Sequence, residues 1–336
     1  MSNTQTRNRK QNHIDIVRTK DVEPIDSSLE KYTLPYTALP EINKDDIDTS
    51  INFFDHKISF PFLISGMTGG VDLANTININ LAKACEEIKI PMGLGSMRIV
   101  LEDKSTLKSF QIKKYCPSIP IFANLGLVQL NYGITSDDIN YLIDSVQADG
   151  IFLHINPLQE ALQPEGDTNF KDLLPKLEKT IKQVHKPILI KEVGTGISIR
   201  DIQRLKDIGV DWVDISGLGG TNWGEVENLR RKDSFDAIFQ NVGYPTDQCL
   251  IEGSKIPNTN LIAGGGIRSG VDIAKAIMLG AKMTTAAKPL LESAIKSPEA
   301  TINTIKKFKE ELEISMFLTG STTIKELSKL KLLRNE

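Results

Sequence analysis

Eight short apolar runs, spaced along most of the chain, constrain the fold more than any other feature. They cover residues 60–67, 90–97, 120–127, 150–157, 187–193, 210–217, 260–267 and 283–290. Each is bounded by Gly, Pro or Asp and is continuous rather than alternating. That pattern predicts strands buried on both faces of a parallel sheet. Helical segments lie between the runs. Residues 75–88 carry apolar positions three and four apart, and 136–147 opens on Ser136, Asp137 and Asp138 as its cap. Residues 198–208 open on Ser198 and close at Gly209, and 269–279 closes at Gly280. Eight strand–helix units predict an α/β protein, a closed (β/α)8 TIM barrel. At 336 residues the chain is read as one domain overall. Residues 1–59 form an N-terminal arm with pre-barrel elements, and residues 60–336 form the barrel. A long insertion after strand six, 218–259, contains Arg230, Arg231, Lys232 and Asp233, and 293–333 reads as C-terminal helices.

Composition narrows the function classes. A net charge of −3 implies no basic face for nucleic acid. Cys85, Cys116 and Cys249 are distant, odd in number and form no CxxC pair, so a reducing cytoplasm is expected. The first twenty residues hold no apolar stretch of the secretory kind, and no run approaches the roughly 18 apolar residues of a membrane span.

The chemistry-bearing residues cluster at the C-terminal ends of the predicted strands, the face on which barrels build their sites. Strand seven ends in Gly264-Gly265-Gly266-Ile267-Arg268, and strand eight in Ala286-Ala287-Lys288-Pro289. Glycines there let backbone N–H groups approach a phosphate, and a following helix N-terminus favours the anion. Strand five ends in Lys191, costly to bury without an anionic partner; an internal salt bridge is the alternative. Gly66, Met67 and Thr68 follow strand one; Ser96, Met97 and Arg98 close strand two; Asn124 lies on strand three; Ser216 and Thr221 follow strand six. Strand four leads into His154, Asn156, Gln159 and Glu160. Glu160 is a candidate Mg²⁺ ligand, because Mg²⁺ takes few carboxylates and completes its shell from substrate phosphate and water. His154 reads equally as a ligand-facing group or a satisfied core histidine. The arm carries Arg7, Arg9, Lys10 and His13; its arginines and lysine would clamp a diphosphate if the mouth holds one.

In this order these pieces resemble the type 2, FMN-dependent isopentenyl-diphosphate isomerases. The stretches that carry the likeness are Arg9-Lys10-x-x-His13, Met67-Thr68-Gly69-Gly70, Gly95-Ser96-x-Arg98, Asn124-x-Gly126 and His154-x-Asn156-x-x-Gln159-Glu160. They continue as Pro164-Glu165-Gly166, Lys191-Glu192-Val193-Gly194, Ser216-Gly217-x-Gly219-Gly220-Thr221-Asn222-Trp223 and Gly265-Gly266-Ile267-Arg268. The resemblance implies FMN held by Gly66, Met67, Thr68, Ser96, Asn124, Lys191, Ser216, Thr221, Gly265 to Arg268, Ala286 and Ala287. It implies a diphosphate substrate meeting Arg9, Lys10, Ser96, Met97, Arg98, His154, Asn156 and Gln159. Lys191, Gln159 and His154 are the expected catalytic groups, Glu160 the expected metal ligand, NADPH the expected reductant of the flavin, and a homo-tetramer or octamer the expected assembly. Three positions depart from the family pattern: Met97 stands where Gln is common, Asn12 where an acid is common, and Lys288 where Arg is usual.

The nearest rival is an FMN-dependent 2-hydroxy-acid oxidase or dehydrogenase, which needs a histidine base and an arginine after strand six. This chain has Leu218 and Thr221 there, and neither can take a proton or clamp a carboxylate. A non-catalytic flavin-binding barrel is the other alternative, against which the polar set on strand four and the basic arm argue.

Overall fold

The computed structural model describes residues 3–23, 27–235 and 238–335; within the first helix the side chains of 3–8, including Arg7, lie outside the described set. Each of the eight apolar runs supplies one strand of a closed parallel barrel. The strands are Phe62–Ile64, Met92–Gly93, Ile121–Gly126, Gly150–His154, Ile188–Lys191, Trp212–Asp214, Asn260–Ala263 and Met283–Ala286. Neighbours pair in chain order, and the eighth closes on the first through Thr284 opposite Phe62.

The strands are shorter than the runs because the C-terminal part of each run bends into a loop. The last run shows the cause. Met283–Ala286 is strand, whereas Lys288–Lys296 is helix with Pro289 in its first turn. Proline lacks an N–H and has a helix-compatible φ, so it suits that position. Helix Ser136–Val146 is capped by Thr135 rather than Ser136, in a capping box with Asp138. Ser198 caps its helix as expected, and Ser269 caps the helix Gly270–Met278. The 218–259 segment is not all insertion. It contains helices Trp223–Arg230 and Thr246–Gly253, and the second packs on the Asn260–Ala263 strand as the sixth barrel helix. The C-terminal helices end before 333: Leu333–Arg334 is a strand, paired antiparallel with Tyr32–Thr33.

Strand side chains alternate between two apolar layers. Outward ones pack under the helices. Leu63, Phe122, Phe152, Leu189, Ile262 and Met283 point into the barrel. A hairpin, Ile51–Phe53 with His56–Ile58, drives Phe53 into the lower end of the barrel. There its ring meets Trp212 edge-on at 4.8 Å and Phe122 at 5.6 Å. This plug closes the N-terminal end and leaves the C-terminal mouth as the place for a site.

Over that mouth lies the arm, a helix from Asn3 to Thr19. Ile14 and Val17 are buried; the helix packs on Arg98–Glu102 and Trp223–Arg230. Asn12 is exposed. Among the described residues no helix is long and apolar enough to cross a membrane. All three cysteines are buried free thiols.

Candidate active site

A cavity of about 240 Å³ opens at the C-terminal mouth. Every candidate site residue named from the sequence whose side chain is described lines it, with one exception. Met97 is fully buried in the apolar core. Ser96 and Arg98 face the cavity on either side of it, and the thioether takes the dry side of the chain. Only its backbone comes near, the Met97 amide donating to the Asn124 carbonyl at 2.8 Å.

The wall after strands six and seven is a pair of backbone ribbons in direct contact. Gly265 has φ +90, and a Cβ there would lie 2.0 Å from the Gly217 carbonyl oxygen. Thr246 fastens the pair, its hydroxyl donating to the Gly265 carbonyl at 2.7 Å. Arg268 and Lys288 stand at the edge of this wall. Glu23, which nothing in the sequence singled out, lies between them, 2.7 Å from Arg268 Nη2 and 3.4 Å from Lys288 Nζ.

Strand register places Lys191 between His154 on one side and Asp214 on the other. Lys191 Nζ donates to the Glu192 carbonyl at 2.5 Å and sits 3.9 Å from Asp214 Oδ2. The Glu192 carboxylate is turned away, accepting from the amides of Val193, Gly194, Thr195 and Gly196 and the Thr195 hydroxyl. It builds the loop rather than the chemistry. His154 Nδ1 donates to Asn124 Oδ1 at 2.8 Å. Burial, then the charges of Lys191 and Lys10, push the imidazole down to about 3. It is therefore neutral, with Nε2 free to accept.

The polar set after strand four is braced on both sides. Asn156 Nδ2 donates to Gln159 Oε1 at 3.0 Å and to Glu160 Oε1 at 2.9 Å, and the Asp167 amide donates to Glu160 Oε2 at 2.7 Å. Burial raises the Glu160 pKa, partly opposed by these donors. Asn156 Oδ1 is buried with no hydrogen-bond partner, an acceptor waiting for a donor or a cation. Asp167 accepts from Gln129 at 2.9 Å and is paired with Arg98.

A further group escaped the assignment from sequence. Glu227, completely buried, accepts from His13 at 2.8 Å and from Gln159 Nε2 at 3.3 Å, and is paired with Arg230. Burial works against its charge, but His13 and Arg230 more than offset this and hold its pKa below the usual value. His13 also meets Trp223 edge-on at 5.1 Å. Arg230 continues to Glu165 at 2.8 Å, which Arg9 approaches at 3.9 Å. The Arg230 cluster in the 218–259 segment was the available signal for Glu227. Lys10 reaches the Ser96 carbonyl at 3.0 Å and lies over the Phe110 ring. Burial, then Arg9, push its ammonium down to about 7.

Similarity to known proteins points the same way. Residues 158–334 match the family model described as FMN-dependent dehydrogenase. A protein of Hydrogenovibrio crunogenus named isopentenyl-diphosphate delta-isomerase is 40% identical over 334 residues, covering 97% of each chain. Proteins of the same name from Oceanobacillus iheyensis and Rickettsia bellii are 43% identical, covering 95% and 97% of this chain and 93% and 97% of their own. Among solved structures, a lactate oxidase of Pediococcus acidilactici superposes with a TM-score of 0.68 at 15% identity, over 96% of this chain and 87% of that one. A flavocytochrome b2 variant with pyruvate bound gives 0.72 at 19%, over 96% and 82%. At such low identity these structures show the shared fold alone.

Proposed function

The chain belongs to the isopentenyl-diphosphate delta-isomerase family, and from that premise we propose that it interconverts isopentenyl and dimethylallyl diphosphate at the barrel mouth. The observation that carries this reading is the convergence on one cavity of three features: the Lys191 ammonium, the glycine ribbon of 264–266 and the cationic arm. The match of residues 158–334 to the FMN-dependent family supports FMN as the cofactor.

The residues present fit such a group. The paired ribbons leave no room for a Cβ at Gly265, so bare amides line the wall that would take the phosphate. Arg268 and Lys288 would add charge there. Gly66, Met67, Thr68, Ser96, Asn124, Ser216, Thr221, Ile267, Ala286 and Ala287 would complete the flavin's surroundings, with Lys191 against its electron-rich edge. When bound and reduced, FMN supplies an electron-rich ring that stabilises positive charge developing on the alkene, and NADPH is the proposed reductant.

A single Mg²⁺ fits Glu160. No group of three or more His, Cys, Asp or Glu among the described residues could hold a metal. A buried lone carboxylate beside the unpartnered Asn156 Oδ1 suits an ion that takes its other ligands from phosphate oxygens and water.

The remaining groups hold the substrate and move protons. Arg9, Lys10 and Arg98 would clamp the diphosphate through charge-assisted hydrogen bonds, and the arm helix would keep water from the reacting carbons. The reaction adds a proton at C4 and removes one from C2. Gln159 has no useful acidity, but it touches Glu227, which touches His13. Gln159 would orient a water in the cavity, with the Glu227 carboxylate and the His13 imidazole as the groups able to exchange its proton. His154, neutral and accepting at Nε2, would orient the substrate and Asn156 would hold Gln159.

The oxidase reading fails at strand six. Leu218 does not line the cavity, and Thr221 does, so neither the base nor the arginine that reaction needs is present there. Anaerobic incubation with isopentenyl diphosphate, FMN, NADPH and Mg²⁺ tests the proposal. Dimethylallyl diphosphate should form and should fail to form when FMN or the reductant is omitted. Conversion indifferent to flavin, a yellow but inert protein, or turnover of lactate or glycolate would overturn it.

A further inference from the structure

Lys191 ends strand five with its side chain only 8% exposed. A buried ammonium loses hydration that a carbonyl alone does not replace. The groups that face it differ sharply. From strand four comes His154, which is neutral and repels no further proton. On its own strand, Glu192 offers a carbonyl and keeps its carboxylate on the 193–196 amides. Lys10 from the arm adds like charge near His154. From strand six comes Asp214, the carboxylate that stands at salt-bridge distance from Nζ.

Asp214 is itself 1% exposed. Its Oδ1 accepts from the Ser216 amide at 3.1 Å and the Ser216 hydroxyl at 2.8 Å. Its Oδ2, the atom directed at Lys191, has no hydrogen-bond partner. Ser216 therefore anchors one carboxylate oxygen and leaves the other for the ammonium. Leaving a buried carboxylate oxygen unsatisfied is costly, and burial raises the proton affinity of Asp214 while Lys191 and Ser216 oppose the rise.

We propose that Asp214 is a positioning residue of the flavin reaction: it keeps the Lys191 ammonium charged and held at the cavity wall, and so sets the reduction potential of the bound cofactor. The proposal rests on the FMN reading above. Lys10 is the internal comparison. Buried on a carbonyl and an aromatic ring, its ammonium is pushed down to about 7. Lys10 also lies beside Arg9; Lys191 without Asp214 would keep the Glu192 carbonyl alone, and a buried ammonium with no counter-charge is easier to deprotonate.

The test is the reduction potential of the FMN-loaded protein between pH 6 and 9, for wild type, Asp214→Asn, Asp214→Glu and Lys191→Met. The wild-type potential should stay above that of Lys191→Met by a constant gap. Asp214→Asn should match or exceed wild type at pH 6 and fall toward Lys191→Met by pH 9. The fall should be at least tenfold in the reduced-to-oxidised ratio, about 30 mV for a two-electron couple. Asp214→Glu should restore the constant gap. If Asp214→Asn does not fold, Asp214→Ser, smaller and uncharged, carries the same comparison. A purely structural ion pair would lower the melting temperature and leave the gap to wild type independent of pH, which overturns the proposal. A wild-type chain that binds no FMN overturns the flavin reading instead.

Discussion

Gly265→Ala should damage the proposed phosphate wall more than any conservative change outside the charged residues. The new methyl would lie 2.0 Å from the Gly217 carbonyl oxygen, and the Gly217 carbon and nitrogen are each 2.8 Å away. To regain an ordinary 3.4 Å contact, backbone after strand six must retreat by about 1.4 Å. Neither ribbon can give easily, because Thr246 ties both, donating to Gly265 and anchored at Leu218. The left-handed φ costs an alanine about 1–2 kcal/mol, and overpacking adds roughly 1–3 kcal/mol. The melting temperature should fall by roughly 3–7 °C for a domain of this size. Loss of one charge-assisted hydrogen bond to the FMN phosphate, roughly 1.5–3 kcal/mol, weakens FMN binding by about ten- to a hundredfold. The assay is a flavin fluorescence titration of the cofactor-free protein beside a thermal melt. Gly209→Ala is the control: its φ is +97, and nothing lies within 4 Å of its Cβ. That variant pays only the backbone strain. If Gly265→Ala bound FMN as tightly as wild type and melted with Gly209→Ala, the ribbon would not be a phosphate wall.

Three other outcomes follow from the site. Glu160→Gln should raise the Mg²⁺ concentration needed for half-maximal rate by tenfold or more; an unchanged metal titration removes Glu160 from the metal. Because the Lys10 ammonium is pushed down to about 7, its charged form prevails only below that pH, so substrate KM should rise between pH 6 and 8.5. Lys10→Arg should flatten that profile, and parallel profiles would refute the assignment. Glu227→Gln should cut turnover by roughly 10²-fold or more, read as initial rate beside a melt; a stable variant with normal turnover takes Glu227 out of the proton exchange.

The barrel was legible because strands buried on both faces must be apolar without interruption, and the eight runs have no other economical packing. Their ends were not, since an apolar run does not announce where strand gives way to helix: Leu290 looks like a continuation of Met283 but lies in the helix begun at Lys288. Cavity residues were legible where they stood at strand ends. Met97 was misplaced because a motif names neighbours, while backbone geometry sends Ser96 and Arg98 to the cavity and Met97 to the core. Glu23 and Asp214 carry no local signature, and Glu227 only the arginines that follow it at 230 and 231. Glu227 gains its meaning from His13, 214 positions away, and Glu23 from Arg268 and Lys288. Such pairings exist only once the barrel has closed.

The most direct measurement follows isopentenyl diphosphate by NMR in D2O, with the protein, Mg²⁺ and prereduced FMN under anaerobic conditions. The account predicts dimethylallyl diphosphate with deuterium entering the methyl carbon that was C4, over many turnovers and without net flavin oxidation. No conversion, or conversion matched one for one by flavin oxidation, would contradict it.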